Sequence, residues 1–133
     1  MYTFVESRVM ALIMVADDNA EIVDLLKDYL ESRGHQVVTV GDGMAAAEKA
    51  QTWKPQLILC DIQMPNVYGT TTYSILRRNP ETKDTPIIFI TGVPLEAAQK
   101  IVPQEPKVRL LCKPVDLKVL DRHIEEMLAP PAG

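Results

Sequence analysis

The sequence has few cysteines, and they are not arranged in a way that is typical of a bound metal. Its two cysteines, Cys60 and Cys112, lie inside apolar runs, and there is no CxxC pair or Cys/His cluster with metal-ligand spacing. A zinc site and a disulfide framework are therefore not expected. We expect both residues to be buried free thiols of a cytoplasmic protein.

Long apolar runs and an excess of positive charge are also missing. The longest apolar run is far shorter than the roughly 20 residues of a membrane span. The first residues, which include Glu6 and Arg8, lack the layout of a signal peptide. The chain has 14 basic and 18 acidic residues, a net charge of -4, which disfavours nucleic acid as a direct ligand. Neither a membrane nor a nucleic acid is expected as a partner.

The length of the chain suits a single domain. A chain of 133 residues can bury roughly two-thirds of the surface that it exposes when unfolded. There is no internal repeat and no low-complexity tract. We predict an N-terminal arm over 1–8, one domain over 9–128 and a short C-terminal tail over 129–133.

Five short apolar or β-branched runs alternate with five helical segments. The runs at 57–60 and 87–90 are apolar throughout, as expected for inner strands of a parallel sheet covered on both faces. Gly34 is a stop signal for the first helix. The pattern predicts strands at 9–15, 36–40, 57–60, 87–90 and 108–112, and helices at 21–30, 44–52, 71–78, 95–102 and 117–128. This alternation predicts an α/β fold, a three-layer sandwich with a five-stranded parallel sheet.

Polar side chains follow four of the five predicted strands. Because the carboxyl ends of parallel strands meet at the edge where open α/β sheets bind ligands, we expect these side chains to lie close together. They are Asp17 and Asp18 after the first strand, Asp61 after the third, Thr91 after the fourth and Lys113 after the fifth.

Three carboxylates, a lysine and a hydroxyl at one site indicate metal-assisted phosphoryl chemistry. Carboxylates that share a site repel one another unless a cation or a proton intervenes. Magnesium suits a site with a few carboxylates that also binds phosphate oxygens. Lys113 would offer a phosphoryl group a compact positive charge, and Thr91 a hydroxyl donor.

Each of these residues also has an ordinary structural interpretation. Asp18 or Asn19 could be the N-cap of the first helix, and Asp61 or Lys113 could simply begin a turn. Thr91 could be a β-branched strand residue. These interpretations do not explain why four strands end on groups that suit a single reaction.

From about residue 9 to residue 128 the chain resembles the receiver domain of two-component response regulators. The resemblance implies a flavodoxin-like sheet with strand order 2-1-3-4-5. It implies that Asp61 accepts a phosphoryl group, and that Mg2+ (or Mn2+) is held by Asp17, Asp18, Asp61 and the backbone carbonyl of Gln63. The resemblance rests on motifs whose order and spacing match the family, namely Asp17-Asp18, Asp61, Met64-Pro65, Gly69, Thr91 and Lys113-Pro114.

The resemblance also implies how the phosphoryl group is handled. Lys113 would stabilise the transferred group, and Thr91 would move toward it and bias the surface formed by the fourth helix, fifth strand and fifth helix. The peptide bond between Lys113 and Pro114 is expected to be cis.

Two positions depart from the family pattern. Leu110 stands where the family usually has a tyrosine or phenylalanine whose rotamer reports the switch between the two states. At this position the chain has no aromatic side chain that could do so. Val93 offers no polar group that could position an attacking water, whereas Gln63 could do so, and Gly92 leaves room at the site. We expect slow to moderate self-dephosphorylation.

The expected role is regulatory rather than enzymatic, apart from self-phosphorylation and self-dephosphorylation. The resemblance implies a sensor histidine kinase or phosphotransfer protein as donor and an unknown downstream protein as receiver of the signal. The fifth strand lacks the Ala-x-Asp-Tyr context of regulators that dimerise for DNA binding, so we expect a monomer or weak dimer. The chain would be either a stand-alone regulator or part of a longer protein.

Three other functions are weighed against this one. A phosphorylation-independent interaction module would keep the fold and use the face that carries Leu110. A flavin carrier would need to bind a phosphate beside Asp17-Asp18, which would repel it in the absence of a metal. A magnesium-dependent phosphatase would need a general acid beside Asp61, and Ile62-Gln63 supplies none.

Overall fold

Strands and helices alternate along the part of the chain that the computed structural model describes, residues 10–63 and 69–129. The predicted arm over 1–8, the Met64-Pro65 pair and the tail beyond residue 129 lie outside the described residues. None of the described helices has both the length and the apolar character that crossing a membrane requires. The elements are β1 (Leu12–Ala16), α1 (Ala20–Ser32), β2 (Gln36–Val40), α2 (Gly43–Trp53), β3 (Leu57–Asp61), α3 (Gly69–Arg78), β4 (Ile87–Thr91), α4 (Leu95–Ile101), β5 (Val108–Cys112) and α5 (Leu117–Leu128).

The five strands form one parallel sheet in the order β2-β1-β3-β4-β5. One core lies under α1 and α5, and the other lies under α2, α3 and α4. Because helices cover both faces, every residue of β3 and β4 is buried. The predicted three-layer α/β sandwich and its strand order are confirmed.

Helix α1 begins immediately after the acidic pair that follows β1. The side chain of Asn19 accepts hydrogen bonds from the backbone amides of Glu21 and Ile22. Asn19 is therefore the N-cap, and Asp18 is not. At the other end of the helix, Gly34 has a φ of 96°, which fits its predicted role as the stop signal.

Most predicted bounds agree with the structure to within two residues, and β1 is the exception. The sequence predicted this strand over 9–15, but in the described residues it runs from Leu12 to Ala16. The backbone amide of Ala11 donates to Nδ1 of His35 at 3.1 Å instead of pairing with a neighbouring strand. The amide of Ala11 thus bonds to a side chain, and the pairing of β1 with β2 begins at Leu12.

The two cysteines differ in burial. Cys60 in β3 is buried, as predicted, and both thiols are free. The prediction of a buried thiol is wrong for Cys112, which is half-buried. Its strand, β5, lies at the edge of the sheet, so all five of its residues are only partly covered.

Gly69, the first residue of α3, packs against the end of β3. A Cβ at this position would lie 2.6 Å from the carbonyl oxygen of Asp61 and 3.2 Å from Cε1 of Phe89. The Gly69 amide donates to the carbonyl of Ile62 at 2.8 Å. Helix α3 begins at Gly69, two residues before the predicted 71. Glycine allows this close approach because it has no side chain.

Gly69→Ala should destabilise the protein. We expect a loss of about 1–3 kcal/mol in the free energy of unfolding, because the added methyl group overpacks the contact between α3 and β3. Urea denaturation measures the loss. Gly41→Ala is the matched control, since a Cβ at Gly41 meets nothing within 4 Å. Equal stability of the two variants would contradict the expected overpacking.

Candidate functional site

The carboxyl ends of β1 and β3 bring three aspartates together. Oxygen atoms of Asp17, Asp18 and Asp61 lie within 4.8 Å of one another. Asp17 and Asp61 are buried, with 4% and 5% of their surface exposed, whereas Asp18 is exposed. The predicted acidic cluster is therefore present at the predicted edge of the sheet.

Lys113, which follows β5, bonds to both buried carboxylates. Its Nζ donates to Oδ2 of Asp61 at 3.0 Å and lies 3.2 Å from Oδ2 of Asp17. Burial alone would lower the pKa of Lys113, but the hydrogen bonds and negative charges of Asp61 and Asp17 raise it above its usual value. The ammonium group therefore stays charged and supplies a positive charge rather than a proton.

Backbone amides orient the same two carboxylates. The amide of Gln63 donates to Oδ1 of Asp61 at 2.9 Å, and the amide of Asn19 donates to Oδ1 of Asp17 at 2.9 Å. Each buried carboxylate thus has one oxygen on an amide and the other on Lys113. These amide contacts were not among the features predicted from the sequence. A signal for them exists, since aspartate often binds an amide two residues further along.

The charge balance of the cluster favours a cation. Within the described ranges 10–63 and 69–129, three carboxylates face one ammonium group, that of Lys113. Asp18 adds to this excess negative charge from an exposed position. Carboxylate oxygens are the ligands that magnesium prefers, and it retains waters where a side of the site is open. The residues present therefore fit a small divalent cation.

Thr91 ends β4 one residue beyond Ile90, which pairs with Asp61 in the sheet. Its side chain is fully buried, and its hydroxyl accepts the amide of Val93 at 3.0 Å. Its carbonyl accepts the amide of Lys113 at 2.7 Å. Thr91 therefore fixes the backbone of the lysine that contacts Asp61.

Gly92, Val93, Pro114 and Leu110, for which the sequence predicted roles beside the site, differ in exposure and in position. Gly92 is exposed, and a Cβ there would meet nothing within 4 Å, while Val93 is half-buried. Pro114 is exposed, and the peptide bond that joins it to Lys113 is cis, as the resemblance implied. Leu110 is not in the cluster: it is half-buried in the middle of β5.

The thiol next to Asp61 is not a reactive group. Cys60 is buried, and its Sγ donates to the carbonyl of Asp61 at 3.4 Å. Burial, followed by the negative charges of Asp61 and Asp17, raises the pKa of this thiol far above its usual value. Cys60 therefore stays a neutral part of the core.

Known proteins with similar sequences and folds include several signalling proteins. The chain is 27% identical over 105 residues to the polar-differentiation response regulator DivK of Brucella anthropi, an alignment that covers 79% of this chain and 85% of DivK. The chemotaxis response regulator CheY4 of Vibrio cholerae has a similar structure, with 27% identity and a TM-score of 0.79, over 90% of this chain and 100% of that one.

Two receiver domains of histidine kinases also have this fold. The one from Syntrophus aciditrophicus is 25% identical, with a TM-score of 0.79, over 90% of each chain. The receiver domain of the sensor histidine kinase PA1611 from Pseudomonas aeruginosa, which carries a magnesium ion in its active-site cleft, is 24% identical. Its TM-score is 0.83, over 92% of this chain and 100% of that one.

The sequence model of the response regulator receiver domain matches residues 13–125, which include all five strands except the first residue of β1. The match spans most of the chain and contains the aspartate cluster, Thr91 and Lys113. This chain belongs to the response regulator receiver domain family.

Proposed function

We propose that the chain accepts a phosphoryl group on Asp61 in a magnesium-dependent reaction and passes the signal to a downstream protein by a change in its surface. The observation that carries the proposal is the position of Lys113, whose Nζ contacts the buried carboxylates of both Asp17 and Asp61. A lysine held against two carboxylates can stabilise a phosphoryl group that arrives on one of them.

The cation would be held by Asp17, Asp18, Asp61 and the backbone carbonyl of Gln63. Mg2+, or Mn2+ in its place, supplies charge stabilisation to the oxygens of the transferred group when it is bound. The cluster of three carboxylates within 4.8 Å supports this assignment. A magnesium-bearing receiver domain of the same fold is consistent with it.

The phosphoryl group would come from a phosphohistidine of a sensor kinase or phosphotransfer protein, or from a small donor. A carboxylate oxygen of Asp61 attacks the phosphorus, and the phosphorus–nitrogen bond to the donor imidazole breaks. The imidazole leaves with the bonding electrons and takes up a proton, so that an acyl phosphate replaces the carboxylate. Lys113 then bonds to the phosphoryl oxygens, since its ammonium group already lies 3.0 Å from the attacking carboxylate.

Thr91 would sense the new group. Its hydroxyl accepts the amide of Val93, so its own proton can be donated to a phosphoryl oxygen. Gly92 and Val93 would set the space and polarity around that oxygen, and Pro114 would aim Lys113. We assign this role to a domain over 9–128 of a cytoplasmic signalling protein.

Magnesium should stabilise the folded protein through the aspartate cluster. For the wild type we expect a gain of about 2.7 kcal/mol in the free energy of unfolding at roughly 100 times the dissociation constant of the metal. Asp18→Asn should lose most of this gain, because it removes a carboxylate ligand without breaking the contacts of Lys113. Urea denaturation with and without Mg2+ measures both.

Asp28→Asn is the control for the metal experiment, since Asp28 is an exposed carboxylate of α1, the helix that follows Asp18, and lies outside the cluster. It should gain as much stability from Mg2+ as the wild type does. If Asp18→Asn and the wild type gained equally, the assignment of the metal to this cluster would be wrong.

Phosphorylation by phosphoramidate tests the proposed function itself. With Mg2+ the wild type should gain the mass of one phosphoryl group, and Asp61→Asn should gain none. Lys113→Met should react roughly 100-fold more slowly, because it removes the positive charge of Lys113 that stabilises the transferred group. The Lys113→Met variant should still be stabilised by Mg2+. A slower reaction of this variant can then be distinguished from a loss of metal binding. Intact-protein mass spectrometry over time measures the reaction.

Lys83→Met is the matched control, since Lys83 is an exposed lysine of the segment before β4. It should react at the rate of the wild type. Phosphorylation of Asp61→Asn at the rate of the wild type would contradict the proposed function.

A further inference from the structure

Phe89 lies in β4, the strand that ends at Thr91, and its ring contacts a residue of α3. It is fully buried in β4, two residues before Thr91, and alternate residues of a strand point to the same face. In the sheet it pairs with Leu110, the position that lacks the aromatic ring of the family. From α3, the ring of Tyr73 packs 6.4 Å from the ring of Phe89, at an angle of 55°. Phe89 therefore has its aromatic neighbour on α3 rather than on β5.

Tyr73 also reaches the protein surface beside α4 and β5. Its hydroxyl donates to the carboxylate of Glu105, in the segment that joins these two elements. Glu105 lines a surface cavity of about 370 Å³ together with Leu95, Val102 and Leu110. We call the surface around this cavity the α4–β5 surface. One side chain thus touches both the strand that ends in Thr91 and the α4–β5 surface.

Arg77, one helical turn after Tyr73, holds the contact together. Its Nε donates to Glu105 at 3.1 Å, its guanidinium group lies 5.1 Å from the centre of the Tyr73 ring, and its Nη1 donates to the carbonyl of Thr85 at 2.8 Å. Both Arg77 and Glu105 are partly buried. We call Tyr73, Arg77 and Glu105 the Tyr73 clasp.

The protonation states of the clasp suit a directed hydrogen bond. Burial alone would raise the pKa of Glu105, but the hydrogen bonds from Arg77 and Tyr73 hold it below its usual value. Burial, together with the hydrogen bond to Glu105 and its charge, raises the pKa of Tyr73. At neutral pH the tyrosine therefore donates its proton to an ionised carboxylate.

We propose that Tyr73 is the switch residue of this chain and relays the state of Asp61 to the α4–β5 surface. The inference rests on the proposed function of Asp61. The clasp coexists with the hydrogen bond from Lys113 to the carboxylate of Asp61, so it belongs to the unphosphorylated form. When Thr91 moves toward a phosphoryl group, Phe89 on the same strand face moves with it, and the bond between Tyr73 and Glu105 breaks.

The relay has a consequence for binding at Asp61. Coupling between two sites is reciprocal, so a bond that phosphorylation breaks must in turn oppose phosphorylation. Removing the bond should therefore favour the phosphorylated form and any ligand that mimics it. A clasp that served only to hold the fold together would affect stability and leave the affinity at Asp61 unchanged.

The test measures the affinity of the full chain for beryllofluoride in the presence of Mg2+ by titration calorimetry. Tyr73→Phe, which removes only the hydroxyl, should bind roughly 3-fold to 10-fold more tightly than the wild type, the range that corresponds to the net contribution of one hydrogen bond. Glu105→Gln should shift the affinity in the same direction. If Tyr73→Phe does not fold, Glu105→Gln alone decides the outcome.

Tyr29→Phe is the matched control, since Tyr29 packs against the other core, under α1 and α5. It should bind with the affinity of the wild type. Backbone amide resonances of the α4–β5 surface in ligand-free Tyr73→Phe should move toward their positions in the beryllofluoride-bound wild type. A purely structural role would not produce that movement.

The outcomes separate the relay from the proposed function. Unchanged or weaker binding by Tyr73→Phe and Glu105→Gln, with the wild type still binding and Asp61→Asn not binding, would overturn the relay alone. If the wild type did not bind beryllofluoride, or Asp61→Asn bound it equally well, the proposed function and the relay would both fail.

Discussion

The crowding of Asp17, Asp18 and Asp61 at one edge of an apolar sheet is the constraint on which the rest of the structure depends. Lys113 offsets only part of their charge, and backbone amides hold the two buried carboxylates in place. Buried ionic groups of this kind are seldom the most stabilising choice for a fold. Their arrangement suits a task that uses the excess negative charge, and binding a cation that in turn attracts a phosphoryl group is such a task.

The sequence predicted the site well because its members lie at strand ends. The runs that end at Asp61 and Thr91 are apolar throughout, and that pattern identifies inner strands of a parallel sheet, whose ends must share an edge. The exposure of Cys112 was mispredicted because the residues before it, Leu110 and Leu111, are as apolar as those of an inner strand, yet β5 lies at the edge of the sheet and also carries Arg109. The contact between Tyr73 and Glu105 joins residues far apart in the chain and leaves no local pattern.

The candidate site and the aromatic packing beside it depend on different elements of the fold. The aspartates, Thr91 and Lys113 follow the family pattern, and their placement needs only the sheet. The route from the site to the surface departs from that pattern at Leu110, which pairs with Phe89 in the sheet. Aromatic packing on Phe89 comes instead from Tyr73 on α3. The proposed relay would therefore use a residue of α3 in place of the family's aromatic residue on β5, while the candidate site keeps the family pattern.

The most direct test of the central claim is the chemical identification of the phosphorylated residue. Protein treated with phosphoramidate and Mg2+ would be reduced with borohydride, which converts an acyl phosphate on aspartate to homoserine, and then analysed by tandem mass spectrometry. The account predicts homoserine at position 61 in the wild type and at no other position. A phosphoryl group on another residue, or reduction at another aspartate, would contradict it.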